Sequence, residues 1–225
     1  MEIKNVPFYL SGNMPCPHKF SADLDLQRID FVPQTLVVGT FNPSWPEGNG
    51  AGWFYGRTRN NYFWDVLPRL HESGLNLRQG SPADWKNFCR VHRVALTDLV
   101  SVIADADETN PVHRRLLGKY LDSDIAGAFE AFEYTDVVGL LEQYPTIRNV
   151  YLTRQPGIAF FDARWALVVQ FATAHPEREL HVRQLLTPSG SARFQIADFK
   201  AANPGLHRPL RHFIHRAWSQ QWHGL

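Results

Sequence analysis

The chain of 225 residues contains only two cysteines, Cys16 and Cys89, and this scarcity excludes several architectures. Two thiols cannot form the disulfide framework of a small secreted domain or the four-thiolate site of an iron–sulfur cluster. We therefore expect no iron–sulfur cluster and no other cofactor that depends on cysteine ligands. A cytoplasmic location is expected, because that compartment keeps thiols reduced.

Long hydrophobic runs are also lacking. No segment approaches the roughly 18 apolar residues that a membrane-spanning helix requires, so we expect no membrane partner. The N-terminal sequence MEIKNVPFYL has neither the basic start nor the long apolar core of a secretion signal. Both absences agree with the expected cytoplasmic location.

Excess charge of either sign is small, because 23 Lys and Arg balance 22 Asp and Glu to give a net charge of +1. Nucleic-acid-binding domains commonly carry a strong basic excess, so the overall charge gives that class no support. A local group of cations does occur near the C-terminus, where it is more often a solvated face than a binding site. Its members are Arg193, Lys200, Arg208, Arg211 and Arg216.

The hydrophobic fraction of 44% is ordinary for a globular protein, and the length is sufficient for a substantial core. No repeat or change of composition indicates a second domain. We expect one domain over residues 1–225, with an irregular N-terminal arm over about 1–30 and a basic C-terminal helix over about 207–221. We also expect a monomer.

Strand and helix patterns alternate along the chain, which predicts a three-layer α/β fold with a mostly parallel central sheet of about four strands and helices on both faces. Strand signals occur near 35–38, 93–97, 149–153 and 180–187. Helical periodicity occurs near 60–72, 81–90, 123–143, 157–172 and 207–219, and residues 133–136 are a possible break in the third of these. Ser81, Pro82 and Asp84 are typical of a capped helix start.

The segment Leu36–Leu67 contains the most chemical information. Its apolar run, residues 36–38, stops at Gly39-Thr40-Phe41-Asn42-Pro43, which predicts a strand that ends in a tight turn. Open α/β sheets bind ligands at the carboxyl ends of their strands, so the turn would present the Asn42 carboxamide at a ligand site. The alternative is that Asn42 only caps the turn before Pro43.

An aromatic loop and two amides follow this turn. Trp53, Phe54 and Tyr55 come first, and Asn60 and Asn61 directly precede a helical pattern. Aromatic faces and amides, without an obvious charged nucleophile, suit a flat ligand that forms hydrogen bonds, such as a nucleobase. The alternative for each Asn is helix capping, and the alternative for the aromatic residues is core packing.

A second loop follows the last strand signal and reads Thr187-Pro188-Ser189-Gly190-Ser191-Ala192-Arg193. Thr187 opens it, Ser189 and nearby backbone N–H groups can bind phosphates, and Arg193 can bind a phosphate through two hydrogen bonds. Gly190 permits a close approach of the backbone. The alternative is an ordinary turn, because Pro-Ser-Gly is common in turns.

In this order the segments resemble the uracil-DNA glycosylase superfamily, most closely its mismatch-specific and hypoxanthine-DNA glycosylase branches. The turn at 39–43 is similar to the first motif of the mismatch branch, G-x-N-P, with an altered spacing. Tyr55, Arg59 and the sequence at 61–64 resemble the aromatic residue, the short step and the Asn-x-Phe-Trp of both branches. The loop at 187–193 resembles the second motif, N-P-S-G-L-S-R. The intervening segments 96–100, 122–125 and 150–153 follow the hypoxanthine-type order, and the likeness covers roughly residues 33–200.

The resemblance implies a uracil-DNA glycosylase fold and hydrolysis of the N-glycosidic bond of a deaminated base, of uracil or hypoxanthine type, without a cofactor. Asn42 would position the water and Asn61 would assist it. The aromatic loop is one residue longer than in the hypoxanthine type, so Asn60 and Asn61 compete for that second role. Phe41 and Tyr55 would form the walls of the base pocket.

Two departures from the family pattern affect the expected substrate. The most active branch has Asp in the first motif and His at the start of the second, where this chain has Asn42 and Thr187. The mismatch branch has an apolar wedge where Ser191 stands, and Ser191 is too small to fill the gap left by an extruded base. We therefore expect single-stranded or mismatched DNA as the partner. The alternatives are a catalytically weak or silent nucleic-acid or nucleobase-binding module and a nucleoside or nucleotide hydrolase.

No metal site is expected. His212 and His215 lie three residues apart in a predicted helix, but a zinc site needs a third protein ligand that the sequence does not indicate. Asp105, Asp107 and Glu108 lack the glycine and the spacing of a calcium-binding loop.

Overall fold

The computed structural model describes residues 14–45 and 50–223, so the first thirteen residues of the predicted N-terminal arm lie outside the described residues. The strands are β1 (Cys16–Pro17), β2 (Thr35–Gly39), β3 (Val94–Asp98), β4 (Val100–Ile103), β5 (Phe132–Tyr134), β6 (Asn149–Leu152) and β7 (His181–Gln184). The α-helices are α1 (Phe63–His71), α2 (Pro82–His92), α3 (Pro111–Lys119), α4 (Asp122–Ala128), α5 (Val137–Gln143), α6 (Ala159–Ala174), α7 (Ala197–Ala202) and α8 (Pro209–Ser219). Short 3₁₀ helices cover Ser21–Asp23, Pro176–Arg178 and Gly190–Gln195.

The central sheet has four parallel strands in the order β3-β2-β6-β7. The inner strands β2 and β6 and the edge strand β3 consist of buried residues, as expected for a parallel sheet covered on both faces. Along β2, Leu36 and Val38 pack into the core that contains residues of α5 and α6, whereas Val37 packs into the core beneath α1, α2 and α8. The predicted three-layer α/β fold, with a parallel four-stranded sheet and helices on both faces, is confirmed.

A second sheet, which the sequence did not predict, is antiparallel and has the order β1-β4-β5. The chain enters it directly after β3, because only Leu99 separates β3 from β4. Cys16 of the N-terminal arm pairs with Ile103 of β4, so the described part of the arm is not wholly irregular.

The third predicted helix, 123–143, is two helices with β5 between them, and the possible break at 133–136 falls at that strand.

Helix α2 begins as its sequence predicts. The Ser81 hydroxyl accepts a hydrogen bond from the Asp84 N–H, and the Asp84 carboxylate accepts one from the Ser81 N–H at 2.8 Å. This reciprocal cap satisfies two N–H groups that have no partner within the helix.

Among the described residues, none of the helices is long and apolar enough to span a membrane.

Helix α8 is fixed against the sheet and against α1, which matters because it borders the loop after β7. The indole N–H of Trp218 donates to the backbone oxygen of Leu186 at 2.7 Å. The buried Asp65 of α1 forms an ion pair with Arg69 at 2.7 Å and a longer one with Arg211 of α8 at 3.7 Å. A buried carboxylate requires such partners, so these contacts hold the two helices in register.

The end of α1 contains a histidine that favours the neutral form. The His71 ring packs against Phe88, His92 and Trp222, and its Nε2 atom has no hydrogen-bond partner within residues 14–45 and 50–223. Burial, together with the neighbouring His92, lowers the pKa of His71 from 6.5 to about 4. Protonation in the folded state is therefore unfavourable between these two pH values.

We predict that His71 makes the protein less stable in mild acid. The unfolded chain binds this proton near pH 6.5 and the folded chain only near pH 4, so the free energy of unfolding falls as the pH drops through that window. At about 1.4 kcal/mol for each pKa unit the full shift corresponds to roughly 3 kcal/mol, and solvent screening of the partly exposed ring makes the loss smaller than this. Urea unfolding at several pH values should show a weaker pH dependence in His71→Phe than in the wild type.

The control is His207→Gln, which alters an exposed imidazole and should keep the wild-type pH dependence. If His71→Phe also kept the full wild-type dependence, another group would be responsible for the loss of stability in acid.

Candidate functional site

The carboxyl ends of the four parallel strands meet at one edge of the central sheet, and each brings polar side chains there. Strand β3 ends at Asp98, and β2 is followed by the turn that contains Thr40 and Asn42. Strand β6 is followed by Thr153 and Arg154, and β7 by the loop 187–193. The two loops predicted from the sequence, at 39–43 and 187–193, therefore lie at the same edge of the sheet, where open α/β sheets bind ligands.

The buried carboxylate of Asp98 is the centre of this edge. Its exposed fraction is 1%, and its Oδ2 atom accepts a hydrogen bond from Nε2 of His18 at 2.7 Å and from Nδ2 of Asn42 at 2.9 Å. Nδ1 of His18 accepts from the Phe20 N–H at 3.0 Å, so the ring proton is on the nitrogen that faces Asp98. Neither Asp98 nor His18 was among the site residues predicted from the sequence.

This contact determines which way the Asn42 carboxamide points. A carboxylate only accepts hydrogen bonds, so the NH₂ group of Asn42 must face Asp98 and its oxygen must face away. Asn42 is half-buried, and its oxygen is not engaged by Asp98. The backbone oxygen of Asn42 also accepts from Lys19 at 2.8 Å, so the N-terminal arm fixes the turn as well.

Tyr55 crosses the edge from the aromatic loop to the end of β6. Its hydroxyl lies 2.8 Å from Oγ1 of Thr153, and its ring stacks on Phe63 with a centroid distance of 3.8 Å. Burial, with smaller effects of Asp98 and Asp122, raises the pKa of Tyr55 well above its usual value. Tyr55 is therefore a neutral phenol with one ring face covered by Phe63.

Asp122, the first residue of α4, forms a second acidic centre at this edge. It accepts hydrogen bonds from the Thr40 hydroxyl at 2.8 Å and from the Arg154 guanidinium at 2.9 Å. Burial raises the pKa of Asp122, and both partners act in the opposite direction. These bonds tie the turn after β2 to the loop after β6.

The amides at 60–61 and the loop after β7 are joined through their backbones. The N–H of Tyr62 donates to the Pro188 oxygen at 2.7 Å, and the N–H of Gly190 donates to the Asn60 oxygen at 2.9 Å. Asn61 and Ser189 pair across this junction. The two loops therefore form one continuous wall beside the end of the sheet.

The side chains of Asn60 and Asn61 have different environments. Oδ1 of Asn61, the residue before the N-cap Tyr62, accepts from the N–H of Phe63 at the start of α1 at 2.9 Å, a structural role close to the capping considered as its alternative. Its oxygen is thus occupied, and its NH₂ group is the part available to a ligand. Asn61 is half-buried at the junction, whereas Asn60 is exposed.

The loop after β7 uses its hydroxyls to stabilise its own turn. The Thr187 hydroxyl donates to Oγ of Ser189 at 3.0 Å, and that oxygen also accepts from the Ser191 N–H at 3.2 Å. The Ser189 hydroxyl keeps its own proton for a further acceptor. Arg193 extends from the 3₁₀ helix that follows and is exposed.

Phe41, predicted as a pocket wall, is 6% exposed and contacts His18 edge-on at a centroid distance of 5.7 Å. In this conformation a base would reach only a small part of its ring. Within the described residues, no group of three or more His, Cys, Asp or Glu side chains is arranged to bind a metal ion.

Comparisons with known proteins give one structural similarity. No protein-family model matches the sequence, and no curated protein matches it. The chain is similar to a solution NMR structure of a "putative" uracil DNA glycosylase from Methanosarcina acetivorans, with 14% identity, a TM-score of 0.48 and coverage of 84% of this chain and 93% of that one. A similarity at this level leaves the activity to be argued from the residues of the site.

We predict that Gly39→Ala disrupts this edge of the sheet. A Cβ atom at Gly39 would overlap Oδ1 of Asp98 and lie 2.8 Å from the Tyr55 hydroxyl, so both buried groups would have to shift. Overpacking of this kind costs about 1–3 kcal/mol. Thermal unfolding should show a lower melting temperature for Gly39→Ala than for the wild type.

The matched control is Gly127→Ala in α4, where nothing lies within 4 Å of the added carbon. That change should be neutral or stabilising by up to about 1 kcal/mol, because alanine favours helices over glycine. Equal stability of Gly39→Ala and the wild type would contradict the close packing of Asp98 and Tyr55 around Gly39.

Proposed function

We propose that the protein is a DNA glycosylase that hydrolyses the N-glycosidic bond of a deaminated base of uracil or hypoxanthine type. The observation that carries this proposal is the Asn42 carboxamide, which the buried Asp98–His18 pair holds at the carboxyl edge of the sheet with its oxygen facing away from Asp98. Such an oxygen is suited to orient a water molecule, although it cannot act as a strong base.

Orientation of water is sufficient for this chemistry. Glycosidic bonds break through a transition state in which the sugar carries positive charge, so placement of the water and nearby negative charge lower the barrier. Asn42 would accept a hydrogen bond from the water as it adds to the anomeric carbon. The departing base takes the bonding electrons and can receive the proton that the water loses.

Two features of the site strengthen this role for Asn42. The hydrogen bond from Asn42 to Asp98 polarises the amide, which makes its oxygen a better acceptor. Asp98 and Asp122 both lie close enough to Tyr55 to influence its pKa, so the same small region contains two acidic groups. Negative charge in such a region stabilises a cationic sugar.

The base itself would be held by groups around this centre. The Tyr55 ring face that Phe63 does not cover would stack on the base, and Phe41 would contribute the edge of its ring. The NH₂ group of Asn61 can donate to a carbonyl oxygen, which both uracil and hypoxanthine carry. Thr187, Ser189, Gly190 and Arg193 would bind the flanking phosphates.

A second candidate is a nucleic-acid or nucleobase-binding module on the same scaffold that has little or no catalytic activity. It is favoured by Asp98, which at 1% exposure and with two partners is not in contact with solvent as a general base would be. Hydrolysis of free nucleosides or nucleotides is a third candidate, which agrees with the net charge of +1. Assays with oligonucleotides and with free nucleosides distinguish these three candidate functions.

We predict that the purified protein converts labelled oligonucleotides containing uracil, hypoxanthine or xanthine into products with an abasic site, and that Asn42→Ala slows single-turnover cleavage by about 10²–10³-fold. DNA affinity of the variant should change little, because the lost interaction acts mainly in the transition state. Cleavage is measured on gels after alkaline treatment, and affinity by fluorescence anisotropy.

The control variant is Asn87→Ala, which removes an exposed amide on α2 and should leave the rate unchanged. Equal losses of rate and affinity in Asn42→Ala would assign it a structural role. Binding without cleavage of any oligonucleotide would favour the silent module, and cleavage of free nucleosides alone would favour the third candidate.

We also predict at least a tenfold preference for single-stranded or mismatched substrate over a fully paired duplex. Ser191 is exposed at the loop position where an apolar wedge would support an extruded base, so unpairing would be unaided and cost a few kcal/mol. About 1.4 kcal/mol already corresponds to a tenfold change in rate. Single-turnover rates on single-stranded, mismatched and fully paired substrates of the same sequence measure the preference, and Ser191→Leu should reduce it. Equal rates on paired and single-stranded DNA would show that another residue supplies the wedge.

A further inference from the structure

A cavity of about 280 Å³, which we call the basic cleft, lies beside the candidate site. It is formed by the 3₁₀ helix after β7, by α7 and by the first turn of α8. Its lining includes Arg193, Lys200 and Arg208 together with Tyr62 and the apolar Leu210. These residues come from four separate segments, and the fold brings them together.

The charge of the basic cleft is positive although the whole chain is almost neutral. Of the residues that the structure describes, none forms an ion pair with Arg193, Lys200 or Arg208, and all three are exposed. The cleft lining contains no acidic residue, and Asp198 is the acidic neighbour along the chain. Three unpaired cations around one cavity favour an anionic ligand.

Aromatic groups accompany these cations. Phe194, which directly follows Arg193, is 78% exposed, and the Arg193 guanidinium lies 5.0 Å from its ring. Tyr62 in the cleft has the Arg78 guanidinium 4.5 Å from its ring. A cation next to an exposed aromatic ring, as Arg193 is to Phe194, is typical of surfaces that bind single-stranded nucleic acids, where cations bind the phosphates and rings stack on bases.

The basic cleft and the candidate site share a wall. Tyr62 lines the cleft, and its N–H donates to the oxygen of Pro188 in the loop after β7. Arg193 belongs to the segment that follows Ser189 in the same loop. A strand whose base occupies the site can therefore continue across this wall into the cleft.

We propose that the basic cleft binds the sugar-phosphate backbone of a single DNA strand beside the nucleotide in the site, and that Phe194 stacks on one of its unpaired bases. This assignment rests on the proposed function for its choice of DNA. Arg193, Lys200 and Arg208 contact successive phosphates, and Arg193 is the one of the three in the segment that follows the loop after β7.

We predict that Lys200→Ala/Arg208→Ala weakens the binding of a fluorescein-labelled 12-residue oligothymidylate at least tenfold at 50 mM NaCl, as measured by anisotropy. Each phosphate contact contributes about 0.7 to the slope of log affinity against log salt for a single strand, so the slope should fall by about 1.4. Phe194→Ala should weaken binding about tenfold, and Phe194→Trp should restore it.

The matched control is Arg114→Ala/Arg115→Ala, which removes two exposed cations from α3 and changes the net charge equally. Helix α3 packs through Leu117 into the core on the other face of the central sheet from α8. This control should bind like the wild type, and all variants should keep the wild-type melting temperature. Equal affinities of the cleft variant and the control would overturn the proposal.

Two further measurements separate the possible outcomes. Inorganic phosphate at constant ionic strength should not displace the oligonucleotide, and displacement would assign the cleft to a small phosphate ligand instead. Oligothymidylate contains no deaminated base, so its binding is independent of cleavage. If the cleft variant loses binding but the wild type cleaves no substrate, the proposed glycosylase activity is refuted and the cleft proposal stands. If the wild type cleaves its substrate but the cleft variant binds as tightly as the wild type, only the cleft proposal is refuted.

Discussion

The hydrogen bonds accepted by the buried carboxylate of Asp98 organise the carboxyl edge of the central sheet. A carboxylate at 1% exposure is costly without partners, and both of its partners come from distant parts of the chain, His18 and Asn42. The same acceptor atom thus holds the N-terminal arm on the sheet and sets the direction of the Asn42 amide. Gly39 makes this possible, because any side chain there would occupy the space that Asp98 and Tyr55 use. The orientation of the proposed water-positioning group is therefore a consequence of core packing.

The sequence predicts β2, β3 and β6 of the central sheet well because each is a short buried run, which is a local signal. The antiparallel sheet has no such signal. Strands β1 and β5 have two and three residues, and their existence depends on pairing with β4. Helix α3 was not predicted either, since its sequence is mostly polar and only Leu117 of its nine residues is buried. Elements that owe their conformation to partners far along the chain cannot be recognised from local periodicity.

The residues of the candidate site also differ in whether the sequence predicts them. Asn42 can be found from the sequence because a strand, a tight turn and an amide follow one another. His18 and Asp98 are 80 residues apart, so no local sequence pattern predicts their contact. One signal was present, because Asp98 is a charged residue at the end of a fully buried strand, and such a residue must have a partner. Asn61 shows the opposite case, since its sequence context suits both catalysis and helix capping, and its oxygen accepts from the first N–H of α1.

The net charge of +1 conceals a separation of charges that bears on the proposed function. Acidic groups lie at the carboxyl edge, where Asp98 and Asp122 are held by hydrogen bonds, and unpaired cations surround the basic cleft beyond the wall that Tyr62 and Pro188 form. A glycosylase needs negative charge near the sugar as the bond breaks and positive charge along the phosphates that flank it. The acidic and basic groups offset each other in the net charge, so a net charge near zero is compatible with DNA binding when the two kinds of group lie in different parts of the surface. Local distribution of charge, rather than its total, is the property that bears on this class of ligand.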